Sequence, residues 1–395
     1  MPQITAEAQI WLETPSLESE ILSDAEINEK YLRGEGRIVV ENNREKLPGF
    51  VDQLQKKDYM DLRPFYQRRP RWDTLRQSLL IESFLINIPV PPIFLYEKSF
   101  NSYEVMDGQQ RITAIKDFYN NKFALRGLQH WPELNGRYYH NIPSLVKAGI
   151  DRRSISSIVM LKESAPEDEE ALLLRQIVFE RLNTGGVELE RQEIRNALYQ
   201  GEFNDLLLQL SRHDLIRSTW GLPKFHEDEV SRGDRALLGS SFFSKMEDAE
   251  LVLRFFALRN VSKYRRGMQG FLDLYMMKVS KLPSSDIELL RSDFIGTITL
   301  ASEIYGDLLF RPYDTSRADW AKAPQKAFFD AVMVSFSNLL SNREIFIAKK
   351  SEILEATKEL FNKNEEGTFT GRGNTKADIQ NRIDLFSNML EGFLD

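Results

Sequence analysis

Five consecutive polar residues, Asp107-Gly108-Gln109-Gln110-Arg111, stand between two apolar stretches, Tyr103 to Met106 and Ile112 to Tyr119. The first stretch has the length and composition of a strand, and the second repeats Ile112, Ile115 and Phe118 at helical spacing. A strand that turns through Asp-Gly into a helix collects unpaired backbone N–H groups and the positive end of the helix dipole at one point, which suits a phosphate. Gly108 permits close backbone approach. Arg111, one turn into the helix, is placed to grip phosphate in a bidentate way, a charge-assisted contact of about 1.5–3 kcal/mol. Gln109 and Gln110 add neutral donors and acceptors able to orient a water or a base. Asp107 repels a phosphate unless a divalent cation lies between them, so Mg²⁺ is the expected cofactor, with Asp107 as its ligand or as the group that positions an attacking water. Asp-Gly alone is an ordinary turn; the run of five polar residues is what favours a ligand site.

Two further clusters carry compatible chemistry. Phe179-Glu180-Arg181-Leu182-Asn183-Thr184-Gly185-Gly186 continues into Glu190-Arg191-Gln192-Glu193-Ile194-Arg195-Asn196-Ala197. Arg181, Asn183, Thr184 and the glycine backbone could line a phosphate pocket, whereas spacing alone reads as a glycine-terminated helix followed by ion pairs on a solvated one. Tyr66-Gln67-Arg68-Arg69-Pro70-Arg71-Trp72 interleaves basic and aromatic residues in an extended segment, the chemistry of gripping phosphates and stacking on a base; the alternative is an exposed basic loop with one buried Trp.

The elements that must position these groups follow from periodicity. A weak strand at Ile38 to Val40 and a helix from about Pro48 to Lys57 precede the Pro-bounded segment Arg63 to Pro70. Leu75, Leu79, Leu80, Ile81, Phe84 and Leu85 predict a helix from Asp73, its N-cap, to about Asn87. Pro89, Pro91 and Pro92 end it and lead to a strand at Ile93 to Tyr96, which pairs with Tyr103 to Met106 through a loop at Lys98 to Ser102. A strand at Ile155 to Leu161 and a helix from Glu167 to Leu182 complete the first half. Beyond Glu188 every periodic segment is helical: 190–199, 203–212, 248–259, 268–279, 285–305, 325–340, 344–362 and 375–394.

The 395 residues suffice for two or three domains, and a net charge of −7 excludes duplex binding through the overall field, leaving local basic patches. Cysteine is absent, removing thiolate catalysis and sulfur-ligated zinc, and the four histidines, His130, His140, His213 and His226, lack ligand spacing. With no basic-apolar leader and no long apolar run, a cytoplasmic chain without membrane contact is expected. The acidic residues 1 to about 30 read as a loosely docked extension.

Four blocks together resemble a known family: Tyr66 to Arg69 with Trp72, Leu80-Ile81-Glu82-Ser83 running to Ile88-Pro89-Val90-Pro91-Pro92-Ile93, the 107–111 motif, and Phe179 to Gly186. In this order they look like the N-terminal domain of the GmrSD type IV restriction proteins, of the ParB/sulfiredoxin-like superfamily. The resemblance implies a ParB/sulfiredoxin-like nucleotide-binding domain over 36–200; joined to the patterning above, this gives an α+β chain with an N-terminal extension over 1–35 and an all-α domain over 201–395. It implies that the turn binds or hydrolyses a nucleoside triphosphate, with Asp107, Gly108, Gln109, Gln110 and Arg111 in the active site and Gln67, Arg68, Arg181 and Asn183 in support. It also implies a bacterial defence role toward DNA, with DNA or a protein as partner. The restriction proteins add an HNH-type nuclease half; the isolated histidines here give no His-Asn-His cluster. The expected function is a Mg²⁺-dependent NTPase of a restriction-like defence or regulatory system. A nucleotide-gated binding module without turnover and a metal-dependent DNA nickase using Asp107 are the alternatives.

Overall fold

The computed structural model describes residues 7, 10–11, 23–32, 39–56, 59–61, 72–161, 178, 181, 190–199, 201–227, 229, 234–280, 282–365 and 367–394. Two compact units divide the chain, one of residues 18–189 and one of residues 1–17 with 190–395. The architecture is α+β, a five-stranded mixed sheet with helices in the first unit and a helical array in the second.

In the first unit, α1 (Asp24–Leu32), β1 (Val40–Lys46), α2 (Leu47–Gln53), β2 (Met60–Asp61) and α3 (Thr74–Ile86) precede the hairpin β3 (Ile93–Ser99) and β4 (Ser102–Asp107). Then come α4 (Gln109–Tyr119), α5 (Ser144–Asp151) and β5 (Ser154–Met160). Strand order is β1-β5-β3-β4-β2; β3 lies antiparallel to β4 and parallel to β5. The antiparallel register puts Phe94 opposite Asp107, so the Pro91-Pro92 entry to β3 lies beside the exit of β4. Ile81, Phe84, Ile93, Val105, Ile112, Ile115, Phe118 and Ile155 join one buried cluster, so α3 and α4 cover the sheet with the apolar stripes their sequences carry.

Local signals explain the boundaries of α3. The Asp73 carboxylate accepts the Arg76 N–H at 2.9 Å, and Asn87 ends the helix in the left-handed region at φ 62°. Ile88 N–H closes the end on Ser83 O at 2.9 Å. The Arg153 side chain also reaches this end, donating through Nε to Phe84 O (2.9 Å) and through Nη2 to Leu85 O (3.3 Å).

The second unit contains α6 (Arg191–Leu198), α7 (Glu202–Leu210), α8 (Glu247–Leu258), α9 (Gly267–Val279), α10 (Ser284–Tyr305), α11 (Lys326–Asn338), α12 (Lys350–Lys363) and α13 (Lys376–Glu391), with shorter helices between. Four expectations change. The segment after Glu188 is not wholly helical, because Tyr313–Asp314 and Asp319–Trp320 pair as a two-stranded ribbon. The helix expected over 344–362 is two, Arg343–Ala348 and Lys350–Lys363, parted at Lys349. The polar face of α6 is not solvated: Gln192, Arg195 and Asn196 are buried. Arg195 donates to Asp273 (Nε to Oδ1, 2.6 Å), Glu250 (Nη1 to Oε2, 3.0 Å), Gln192 Oε1 and Gln269, so these polar groups satisfy one another inside the unit. Nor is the N-terminal stretch loosely docked at Glu7 and Trp11, although the described residues of α1 up to Glu29 are exposed. Glu7 is wholly buried, accepting from Asn260 Nδ2 (2.8 Å) and Tyr275 Oη (2.9 Å), and Trp11 stacks on Phe271. Among the described residues no helix is long and apolar enough to cross a membrane.

Candidate functional site

The strand-turn-helix junction forms as its residues predict: β4 ends at Asp107, Gly108 caps α4, and Gln109 begins the helix. Gly108 takes φ +94°, a conformation L side chains rarely adopt, and a Cβ there would lie 2.5 Å from Ile93 Cγ2. Backbone conformation and the closeness of β3 each demand glycine. Gly108 supplies no side-chain cap, and the first return bond of the helix is Ile112 N–H to Gly108 O at 2.9 Å. The opening turn of α4 thus presents its amide end at the end of β4, in the orientation an anion requires.

Gly108 is buried, and Asp107, Gln109, Gln110 and Arg111 are half-buried. Arg111 is engaged within the protein. Its Nη2 pairs with Asp107 Oδ2, one helical turn back, and its Nη1 donates to Pro91 O (2.6 Å) and Pro92 O (3.2 Å). The side chain keeps 12% of its exposure against 33% for Asp107, so the carboxylate is the more accessible of the pair. Arg111 is here a strut between the turn and the entry to β3. That role was not visible in its position on the helix, because its acceptors are backbone carbonyls brought near only by strand pairing.

Other predicted residues are distributed unevenly. Gln67, Arg68, Asn183 and Thr184 lie outside the described residues, as does most of the helix expected over 167–182. Val178 and Arg181 are helical, and Arg181 is exposed. Trp72, from the basic-aromatic segment, packs half-buried against the core of the sheet unit. Among the described residues no group of three or more Asp, Glu or His side chains could hold a metal ion. A Mg²⁺ at Asp107 would take its remaining ligands from phosphate oxygens and water, the usual arrangement for this ion at nucleotides.

Sequence patterning gave no account of Glu82, which is 3% exposed on α3. Its carboxylate accepts three successive backbone N–H groups, Gln129 (3.2 Å), His130 (2.8 Å) and Trp131 (3.1 Å). Burial raises a carboxyl, but these donors and the neighbouring His130 ring outweigh it and hold Glu82 below the usual carboxylate range. Its only advance signal was a charged residue on an otherwise apolar helix face.

No curated protein and no solved structure matches the chain. Residues 50–200 match the family described as GmrSD restriction endonuclease, N-terminal domain. The matched span encloses α3, the β3–β4 hairpin, the 107–111 turn and α6. Over residues 50–200, less than half of its length, the chain is thus similar to the N-terminal domain of the GmrSD restriction endonucleases.

Proposed function

We propose that the chain is a nucleotide-binding, Mg²⁺-dependent NTP-hydrolysing protein of a bacterial, DNA-targeting defence system of the restriction type. The observation that carries this reading is the Asp107-Gly108-Gln109 junction inside the matched domain, where a glycine-only turn delivers the amide end of α4 beside a partly exposed carboxylate. The backbone at Gly108 to Arg111 cradles phosphate, Gln109 and Gln110 orient water or base, and Asp107 binds the metal or positions water. Mg²⁺, when bound, screens the phosphate charge and polarises the phosphoryl group under attack. Arg111 orients Asp107 and holds the Pro91-Pro92 loop; contact with phosphate would require it to give up part of that bonding. Gln67, Arg68, Arg181, Asn183 and Thr184 complete the pocket in this proposal.

The mutual Asp107–Arg111 pairing also supports a second reading, a nucleotide-gated module in which the ligand resets the strut and no turnover follows. Phosphate release from each NTP with Mg²⁺, with and without duplex DNA, separates the two when combined with calorimetric binding. Release that Asp107→Asn and Gln109→Ala abolish supports hydrolysis at this turn. Binding without release selects the gated module, and absence of both overturns the nucleotide assignment.

A further inference from the structure

Residues 121–142, which leave the C-terminal end of α4, carry no helical or strand periodicity, yet they form a closed finger. His140 N–H donates to Asn121 Oδ1 (2.8 Å), Leu125 N–H to Arg137 O (2.9 Å), Gly136 N–H to Leu125 O (2.7 Å) and Leu128 N–H to Asn135 Oδ1 (3.1 Å). These bonds zip the outgoing and returning halves together. Phe123, Leu125, Leu128, Leu134 and Ile142 seat the inner side in the apolar core. Helix α3 fixes the finger through Glu82, as above, and through Ser78 Oγ, which accepts the Arg126 N–H at 3.0 Å. Gly127, at φ +67°, lies so close to Leu75 that a side chain there would collide with it.

The outer side has the opposite chemistry. Between Asn121 and Ile142 stand Lys122, Arg126 and Arg137 against Glu133 alone, in a chain whose net charge is −7; Lys122 pairs with Asp117 at 2.9 Å. Arg126 and Arg137 are exposed on the two zipped halves, and among the described residues neither has an ion-pair partner. Trp131 is 40% and Tyr138 36% exposed, and the Tyr138 and His140 rings stack at 5.8 Å. An ordered loop that leaves large rings in water beside exposed guanidinium groups, that of Arg137 donating only to Asn141 O (3.3 Å) among the described residues, combines the two elements of single-strand recognition, cations for phosphates and flat rings for unstacked bases.

We propose that the 121–142 finger is a contact surface for single-stranded nucleic acid, with Arg126 and Arg137 on the phosphates and Trp131 and the Tyr138–His140 pair stacking on bases. This rests on the DNA-targeting part of the function proposed above and assigns it a surface; it is independent of nucleotide turnover.

Fluorescence anisotropy of the full chain with a labelled single-stranded oligonucleotide of about 20 nucleotides, longer than the roughly 4–16 covered by one binding fold, tests it. The matched duplex serves as comparison, each with and without NTP and Mg²⁺. Arg126→Ala with Arg137→Ala should weaken strand binding about tenfold or more and flatten the slope of log affinity against log salt by about 1.4, two phosphate contacts' worth. Trp131→Ala should weaken it about 5- to 100-fold, with Trp131→Phe recovering most of the loss. Unchanged thermal midpoints separate these effects from misfolding. Strand binding indifferent to all three substitutions would overturn the finger while leaving the DNA-targeting reading intact. Binding to duplex alone would overturn the single-strand assignment. Binding of the parent to neither would overturn both.

Discussion

Arg111 pairs with Asp107 across the turn that Gly108 opens, and its second guanidinium nitrogen holds the carbonyls of Pro91 and Pro92, twenty and nineteen residues earlier. One side chain therefore joins the end of β4, the first turn of α4 and the entry to β3. Arg111→Ala is expected to cost about 1.5–3 kcal/mol in urea unfolding, the range for charge-assisted bonds. Arg111→Lys should recover less than half, because one ammonium cannot replace the planar fork. In a cycle with Asp107→Ala the two losses should be coupled; simple additivity would remove the pair as a structural unit.

Gly108→Ala combines a backbone penalty at φ +94° with a Cβ 2.5 Å from Ile93 Cγ2. The expected loss is about 2–4 kcal/mol, the sum of a left-handed residue and an overpacked contact. Gly108→Ala with Ile93→Ala should still be less stable than Ile93→Ala alone, since the backbone cost survives removal of the Cγ2 methyl that the new Cβ meets. Equal denaturation midpoints for those two proteins would contradict this account.

Glu82 gives a pH signature. Its folded-state carboxyl lies below the usual value of 4.5, so its contribution is fully present above that pH and is lost as pH falls through the lower folded value. Glu82→Gln should cost about 1–3 kcal/mol near neutrality, because a carboxamide accepts through one oxygen where the carboxylate uses two. The difference from the parent should shrink on acidification below about 4.5. A gap constant from pH 7 to pH 3 in chemical denaturation would show that the ionised form is not what the finger binds.

The Arg195 network supplies a contrast between neighbouring arginines. Arg195 is 1% exposed and bonded to Asp273 and Glu250, whereas Arg191 is 47% exposed and 4.0 Å from Asp273. Arg195→Ala should destabilise the helical unit by about 3–5 kcal/mol by removing the buried guanidinium that pairs with Glu250 and Asp273. Arg191→Ala should change stability by about 0.5 kcal/mol or less. Similar thermal shifts for the two would mean that burial does not govern this cluster.

Much of this arrangement was legible in local order. Asp73, the apolar spacing through Leu85 and the prolines after Ile88 marked out α3, and the polar run at 107–111 between two apolar segments located its strand-turn-helix junction. The helical second half followed from periodicity, apart from the ribbon at Tyr313–Trp320, whose strands are too short for an alternating pattern. Segment 121–142 was silent because its order comes from side chain to backbone bonds with α3 and from backbone and side-chain bonds across its own halves, which repeat at no fixed interval.

By itself the sequence determined the α+β division, the positions of most long elements, the strand-turn-helix junction at 107–111 and the family likeness of residues 50–200, all set by short-range propensity or contiguous motifs. Tertiary structure alone decided that Arg111 serves as a strut, that the polar face of α6 is buried, that Glu7 belongs inside the helical unit and that residues 121–142 fold as a finger seated on the core of the sheet unit with Arg126, Trp131 and Arg137 exposed. These depend on which distant groups compete for the same donors and acceptors. Pairing of β3 with β4 puts Pro91 within reach of Arg111, and folding of the helical unit brings Asn260 and Tyr275 to Glu7; no local spacing encodes either encounter.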